Sequence, residues 1–287
     1  MTQAAPHILL INPWIHDFSA YDFWAKPLGL LTLGSILRGE GFQITYIDCL
    51  DRFHPHAPES DGSLRYGRGP YLKTRISKPS GFEDVPRYFS RYGIRPDWFR
   101  ESLMSIQAPD LILITSGMTY WWTGVRETLA VIKSVFPKTP TVLGGIYATL
   151  CQDHAVRFSG ADLVVSGSVN DRISGLAAEM TWNPPERPAD TDIFNPANFD
   201  TYPFPAFDLY RKLYYVPILT SVGCPFSCTY CASHILNKTR MQKSPSRVLE
   251  EIRYWNTTRG ILDFVLYDDA FLVDSRIHAV PILEQII

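Results

Sequence analysis

Ile8-Leu9-Leu10-Ile11-Asn12 is a run of four large apolar residues closed by a polar one. It is too short for a buried helix and suits a strand covered on both faces. Four similar runs follow it: Gln43 to Asp48, Asp110 to Ser116, Thr141 to Gly144 and Asp162 to Ser166. Helical patterns lie between them. Leu28 to Arg38 follows Pro27 and ends at Gly39 or Gly41, and a second helix sets Val125, Leu129, Ile132 and Phe136 on one face before Pro137. Strands alternating with helices predict an α/β architecture. Right-handed crossovers favour a doubly wound parallel sheet of order 2-1-3-4-5, with ligands at the carboxyl ends of its strands.

The 287 residues suffice for about two domains of ~150 residues each. With 27 basic and 29 acidic residues the net charge is −2, which gives no support to a nucleic-acid partner. No apolar run reaches the ~18 residues of a membrane span. Met1 to Pro6 lacks the blocks of a secretory signal, so a cytoplasmic location is expected. The aromatic share of 13% and the 22 prolines argue against a simple helical bundle. Residues 49–109 are longer than a crossover needs and read as an insertion. Its stretch from Ser63 to Arg100 holds nine Lys or Arg against three acidic residues, suiting a solvated basic surface or a lid over an anionic ligand.

Prolines 184, 185, 188, 196, 203 and 205 mark a linker over 181–216, so residues 1–180 form the first domain and 217–287 the second. In the second, Tyr215 to Ser221 reads as a strand, and Ser244 caps a helix that starts at Pro245. Val248, Leu249, Ile252 and Trp255 give that helix an apolar face, Gly260 ends it, and Asp263 to Tyr267 is the next strand. The chain then reaches Glu284-Gln285-Ile286-Ile287, apolar and uncapped, and the domain is expected to be cut short. No Ser-His-Asp set and no P-loop is present, and Asp268-Asp269 is the carboxylate pair that directly follows a strand, so hydrolase and kinase chemistry lack residues.

Cys49 and Cys151 stand alone, while Cys224-Pro225-Phe226-Ser227-Cys228-Thr229-Tyr230-Cys231 places three thiols on eight residues directly after a strand. Such thiols suit one metal centre. Zinc would take His234 as a fourth ligand in a Cys₃His module; an iron–sulfur cubane would bind three irons to Cys224, Cys228 and Cys231 and leave the fourth open.

The cysteine loop resembles that of the radical S-adenosylmethionine superfamily, Cys-x₃-Cys-x-aromatic-Cys. Gly223-Cys224-Pro225, Lys243-Ser244-Pro245 and Phe264 to Phe271 extend the likeness to members that carry an N-terminal cobalamin-binding domain. The resemblance implies a flavodoxin-like (Rossmann-like) doubly wound sheet followed by the first βα units of a partial radical SAM barrel. It implies a [4Fe–4S] cluster and S-adenosylmethionine, with Tyr230 near the adenine and Asp268 or Asp269 at the amino group. It also implies cobalamin at Ser116-Gly117, at Gly144-Gly145 and at Gly167 after the fifth strand. The Asp-x-His-x-x-Gly signature that supplies a cobalt ligand is absent, so cobalamin is expected without a protein histidine. His16, Asp17, Trp14, Tyr21 and Trp24 follow strand one, on the substrate side of the expected site.

The implied activity is reductive cleavage of S-adenosylmethionine to a 5′-deoxyadenosyl radical, with methyl transfer to a small-molecule substrate as an outcome. An electron donor such as a flavodoxin or ferredoxin is the implied partner. The alternative is a catalytically incomplete cluster- or cobalamin-binding half of a split enzyme, with a C-terminal partner chain if Ile287 is the natural end.

Overall fold

The structure, a computed structural model, describes residues 5–181, 185 and 194–286. Pro184 and Pro188 of the proline-rich stretch lie outside the described residues. Five strands form a parallel sheet: β1 (His7–Asn12), β2 (Gln43–Asp48), β3 (Leu111–Ile114), β4 (Thr141–Leu143) and β5 (Leu163–Val164). Their spatial order is β5-β4-β3-β1-β2, the expected doubly wound order. β1 is central, pairing Ile8 with Ile44 on one side and with Leu111 on the other. Ile8, Leu9, Leu10 and Ile11 are completely buried, as a strand covered on both faces requires.

The alternation of side chains divides the core in two. Leu9 and Ile11 face α2 (Pro96–Met104) and α3 (Trp122–Val135), where Phe99, Leu103, Val125, Leu129 and Ile132 pack. Ile8 and Leu10 face α1 (Leu28–Gly39), whose Leu30, Ile36 and Leu37 share a cluster with Leu111, Leu113 and Val142. Pairing in β3 stops at Ile114 and in β4 at Leu143, short of the expected Ser116 and Gly144, because the backbone beyond turns to build a pocket. Asp162, expected to open the fifth strand, instead accepts hydrogen bonds from the Thr141 N–H (2.9 Å) and hydroxyl (2.7 Å), leaving pairing to Leu163 and Val164.

The insertion is more structured than a loop. Ile15–Asp17, within the segment expected to be a loop after β1, pairs with Ser90–Tyr92, which pairs in turn with Lys73–Arg75. Tyr21–Asp22 pairs with Gly69–Pro70. Trp14 holds this layer to the core: its indole N–H donates to the Ile94 carbonyl (2.7 Å) and its ring meets Phe99 edge-on.

After α4 (Ile146–Leu150), α5 (Gln152–Phe158) and α6 (Ile173–Thr181), the chain enters a second βα pattern. β6 (Tyr215–Ile218) lies parallel to β7 (Asp263–Leu266), with the cysteine segment, α7 (Ser233–Leu236) and α8 (Pro245–Arg259) between them. The strand expected over Tyr215 to Ser221 breaks at Leu219–Thr220, and Ser221–Val222 pairs antiparallel with Met241–Gln242. Ser244 caps α8, its hydroxyl accepting from the Arg247 N–H (3.3 Å), and Gly260 ends it at φ 66°. The apolar end folds as α9 (Ala279–Ile286), with Ile282 buried.

The two βα patterns share α1. Leu31, on the face away from Leu30, packs with Phe207, Val216, Val248 and Trp255. Polar ties run alongside: Tyr210 donates to Asp48 (3.0 Å) and Tyr215 to Asp22 (2.9 Å). Leu31→Ala is therefore expected to cost about 2–5 kcal/mol as a buried cavity mutant. Calorimetry should show one transition moved down as a whole; an unmoved transition for the N-terminal part would contradict the shared core.

Candidate cofactor site at the carboxyl edge of the sheet

The turn after β4 is built from two glycines with different duties. Gly145 sits at φ 95°, and a Cβ there would lie 2.4 Å from the Ser116 carbonyl oxygen and 2.6 Å from its nitrogen. Only glycine fits. Ser116, almost fully buried, donates its hydroxyl to the Gly144 carbonyl (2.6 Å), and its own carbonyl accepts from the Ile146 N–H (2.8 Å). Gly144 is different: a Cβ there would meet nothing within 4 Å. Gly167, at φ 76°, is equally open, and its N–H donates to the Thr149 hydroxyl (3.0 Å).

The openness is a cavity of about 450 Å³ that runs from this edge to the second βα pattern. Gly144, Gly145 and Gly167 line it on one side, with apolar walls from Leu30, Leu33, Val142 and Leu176. Val222, Asn237, Lys243, Glu251, Tyr267 and Asp269 line the other. This size suits a small ligand or one arm of a larger one. Of the residues singled out in the sequence, four therefore share one cavity. Ser116 supports it from behind, and Gly117 packs against the Trp121 ring, where a Cβ would come within 2.8 Å.

The two adjacent aspartates separate. Asp269 lines the cavity, whereas Asp268 accepts from the Thr220 hydroxyl (2.7 Å), the Ser221 hydroxyl (2.6 Å) and the Thr220 N–H (3.3 Å). The sequence had not signalled Lys243 and Glu251 as a cavity pair. Their side chains, 5% and 1% exposed, meet at 2.5 Å, and the Lys243 ammonium stands 5.1 Å from the centre of the Phe199 ring. Spacing alone hides this pair, since Lys243 precedes α8 and Glu251 lies inside it.

The cysteine segment hangs between the paired Ser221–Val222 and Met241–Gln242, and α7 rests against α4, joining it to the Gly144-Gly145 element. All three cysteines are free thiols, Cys228 being exposed. Hydrogen bonding to Ser233, through its hydroxyl and from its backbone N–H, lowers the pKa of the Cys231 thiol, which favours the thiolate. Among the described residues no three His, Cys, Asp or Glu side chains stand close enough to hold a single ion, so neither the Cys₃His arrangement with His234 nor the expected convergence of Cys224, Cys228 and Cys231 on one centre is formed. Tyr230 is 91% exposed and outside the cavity, and Phe226 is exposed too. His16 is buried, its Nε2 at 2.8 Å from Glu127, and Trp14 belongs to the core. Asp17 accepts from the Trp121 indole (2.8 Å).

No protein-family model matches the chain. It is 28% identical over 199 residues to an uncharacterized methyltransferase of Pyrococcus horikoshii, covering 58% of this chain and 41% of that protein. Its fold matches the radical S-adenosylmethionine methyltransferase TsrM from Kitasatospora setae, whose structure has cobalamin and a [4Fe–4S] cluster bound. The TM-score is 0.61 at 17% identity, over 98% of this chain and 50% of TsrM. The two share an α/β fold. This chain thus spans half or less of the length of each of these proteins. No helix among the described residues is long and apolar enough to cross a membrane.

Gly145→Ala is expected to destabilise the chain by about 1–3 kcal/mol or more, from backbone strain and the clash with Ser116. Gly144→Ala should leave the melting temperature nearly unchanged. Thermal unfolding of the two variants side by side checks the assignment; equal losses would overturn it.

Proposed function

We propose that this chain is the cobalamin- and cluster-bearing part of a radical S-adenosylmethionine methyltransferase, with residues 1–180 holding cobalamin, 181–216 linking, and 217–287 beginning the radical SAM unit. The observation that carries this is the single cavity with Gly144, Gly145 and Gly167 on one wall and Asp269 on the other, beside a segment bearing three free thiols. The likeness to TsrM in fold, and to a methyltransferase in sequence, supports the same direction.

By chemical type, though not by their present spacing, the donors suit a cluster. Three cysteines unused by any disulfide, one with a thiol pulled toward the thiolate by Ser233, are the soft ligands that iron takes. The cavity suits one arm of a large ligand, since Gly144 and Gly167 leave backbone bare where a side chain would intrude. When bound, the cluster supplies an electron for cleaving S-adenosylmethionine and cobalamin supplies a methyl carrier.

This chain's residues hold and orient. Cys224, Cys228 and Cys231 would hold the cluster. Asp269, on the cavity wall, would accept from the amino group of S-adenosylmethionine, and Tyr230 would lie near the adenine. Gly144 and Gly167 would admit cobalamin, Gly145, Ser116 and Gly117 would hold the turns that shape the site, and the apolar walls would exclude water. An electron donor and a small-molecule substrate complete the reaction.

A second reading, a cluster- or cobalamin-binding half that turns over only with a further segment or partner chain, is favoured by one observation. Among the described residues β7 is paired on one side alone, and Leu262 and Leu272 beside it are exposed. Cleavage of S-adenosylmethionine by this chain alone separates the two: turnover supports the first reading, and binding without turnover the second.

Anaerobic reconstitution of the chain should load iron and sulfide, and Cys224→Ala, Cys228→Ala and Cys231→Ala should each lose nearly all of it. Full iron content in any of the three would sink the cluster assignment. Gly144→Val should fold normally yet bind cobalamin at least about tenfold more weakly, a loss of ~1.4 kcal/mol. Unchanged affinity by visible spectroscopy would move the corrin elsewhere.

A further inference from the structure

The Cys224–Cys231 loop is long, exposed and without internal secondary structure at its thiols, so something outside it must fix where it starts. Thr220 does. It is completely buried, and its carbonyl accepts from the Lys243 N–H (2.8 Å), so the entry and the exit of the whole cysteine segment meet at this one residue. Its N–H and its hydroxyl both go to Asp268, at 3.3 and 2.7 Å, and the neighbouring Ser221 hydroxyl joins them at 2.6 Å. The Thr220 oxygen also lies 2.7 Å from Nε2 of His278, itself nearly fully buried. Because the single hydroxyl proton is given to the carboxylate, Nε2 is the donor in that contact, and this fixes the imidazole tautomer.

We infer that Asp268, acting through Thr220, Ser221 and His278, is a positioning residue that locks the base of the cysteine segment to the end of β7 and the start of α9. The cluster role of the segment rests on the reading proposed above; the lock itself does not. Both carboxylate oxygens of Asp268 are occupied by the chain, which leaves Asp269 to face the cavity. Two layers that are far apart in sequence thereby set the height and direction of the thiols. Hydrogen bonds to a charged acceptor are stronger than neutral ones, and burial of Thr220 keeps water from replacing them.

The test compares Thr220→Val, which keeps the volume and removes the hydroxyl, with Thr220→Ser, which restores it, in the full chain. Hydrogen exchange of the amides at 220–222 and 241–243, measured without iron, should rise at least about tenfold in Thr220→Val and in Asp268→Asn, a loss of ~1.4 kcal/mol of local protection. It should return toward the parent value in Thr220→Ser and stay at the parent value in Asp269→Asn. After reconstitution, Thr220→Val should alter the electron paramagnetic resonance signature of the reduced cluster, and Thr220→Ser should recover it. Parent-like exchange in Thr220→Val and Asp268→Asn, or equal loosening in Asp269→Asn, overturns the inference. If Thr220→Val does not fold, His278→Phe, which removes the donor, is judged by the same exchange criterion. A parent chain that takes up no iron refutes the cluster proposal alone, since the exchange result still decides the lock.

Discussion

Helix α1 is buried on two faces, and the remaining architecture is arranged around that fact. Its sequence, Leu28-Gly29-Leu30-Leu31-Thr32-Leu33-Gly34-Ser35-Ile36-Leu37, is apolar nearly all round, which a surface helix of a single-layer domain cannot sustain. Leu30, Ile36 and Leu37 cover one face of the parallel sheet, while Leu31 enters the cluster of Phe207, Val216 and Trp255. Gly34 permits the close approach, since a Cβ there would lie 2.6 Å from Leu10. The aromatic residues around 199–210 are thus core material, and the second βα pattern is seated at the carboxyl edge rather than tethered beside it.

That seating places the chemistry. A parallel sheet with right-handed crossovers sends its connecting loops to the carboxyl ends, and the change of direction between β1 and β3 opens a crevice there. The turn glycines, the open wall and the cysteine segment converge on it because α7 leans on α4 and Thr220 is drawn to Asp268. Lys243 and Glu251 add a buried ion pair to the same wall; a charge there without its partner would be costly, so the pair acts as one neutral unit.

Much of this was legible from residues alone. Apolar runs gave the sheet and its order, and Ser244, Pro245 and Gly260 marked α8 to the residue, because strand burial and helix capping are local rules. What escaped depended on distant partners. Nothing near Asp268 announces that Thr220 occupies it, so the two aspartates looked equivalent. Residues 73–75 and 90–92 looked like loop because each is a three-residue strand that exists only through pairing with Ile15–Asp17. Lys243 entered only through Lys243-Ser244-Pro245 and Glu251 not at all, because their pairing depends on the cavity wall that closes over both.

The double burial of α1 also has a history in time. Leu31 leaves the ribosome 176 positions ahead of Phe207, the residue that covers it. At ~5–20 residues per second the delay is roughly 10–35 s, during which the sheet face of the helix can settle while the other stays wet. The nascent chain therefore carries an uncovered leucine-rich stripe for far longer than a hydrophobic collapse takes, and it is in that interval, rather than in the finished fold, that this protein most needs protection from its neighbours.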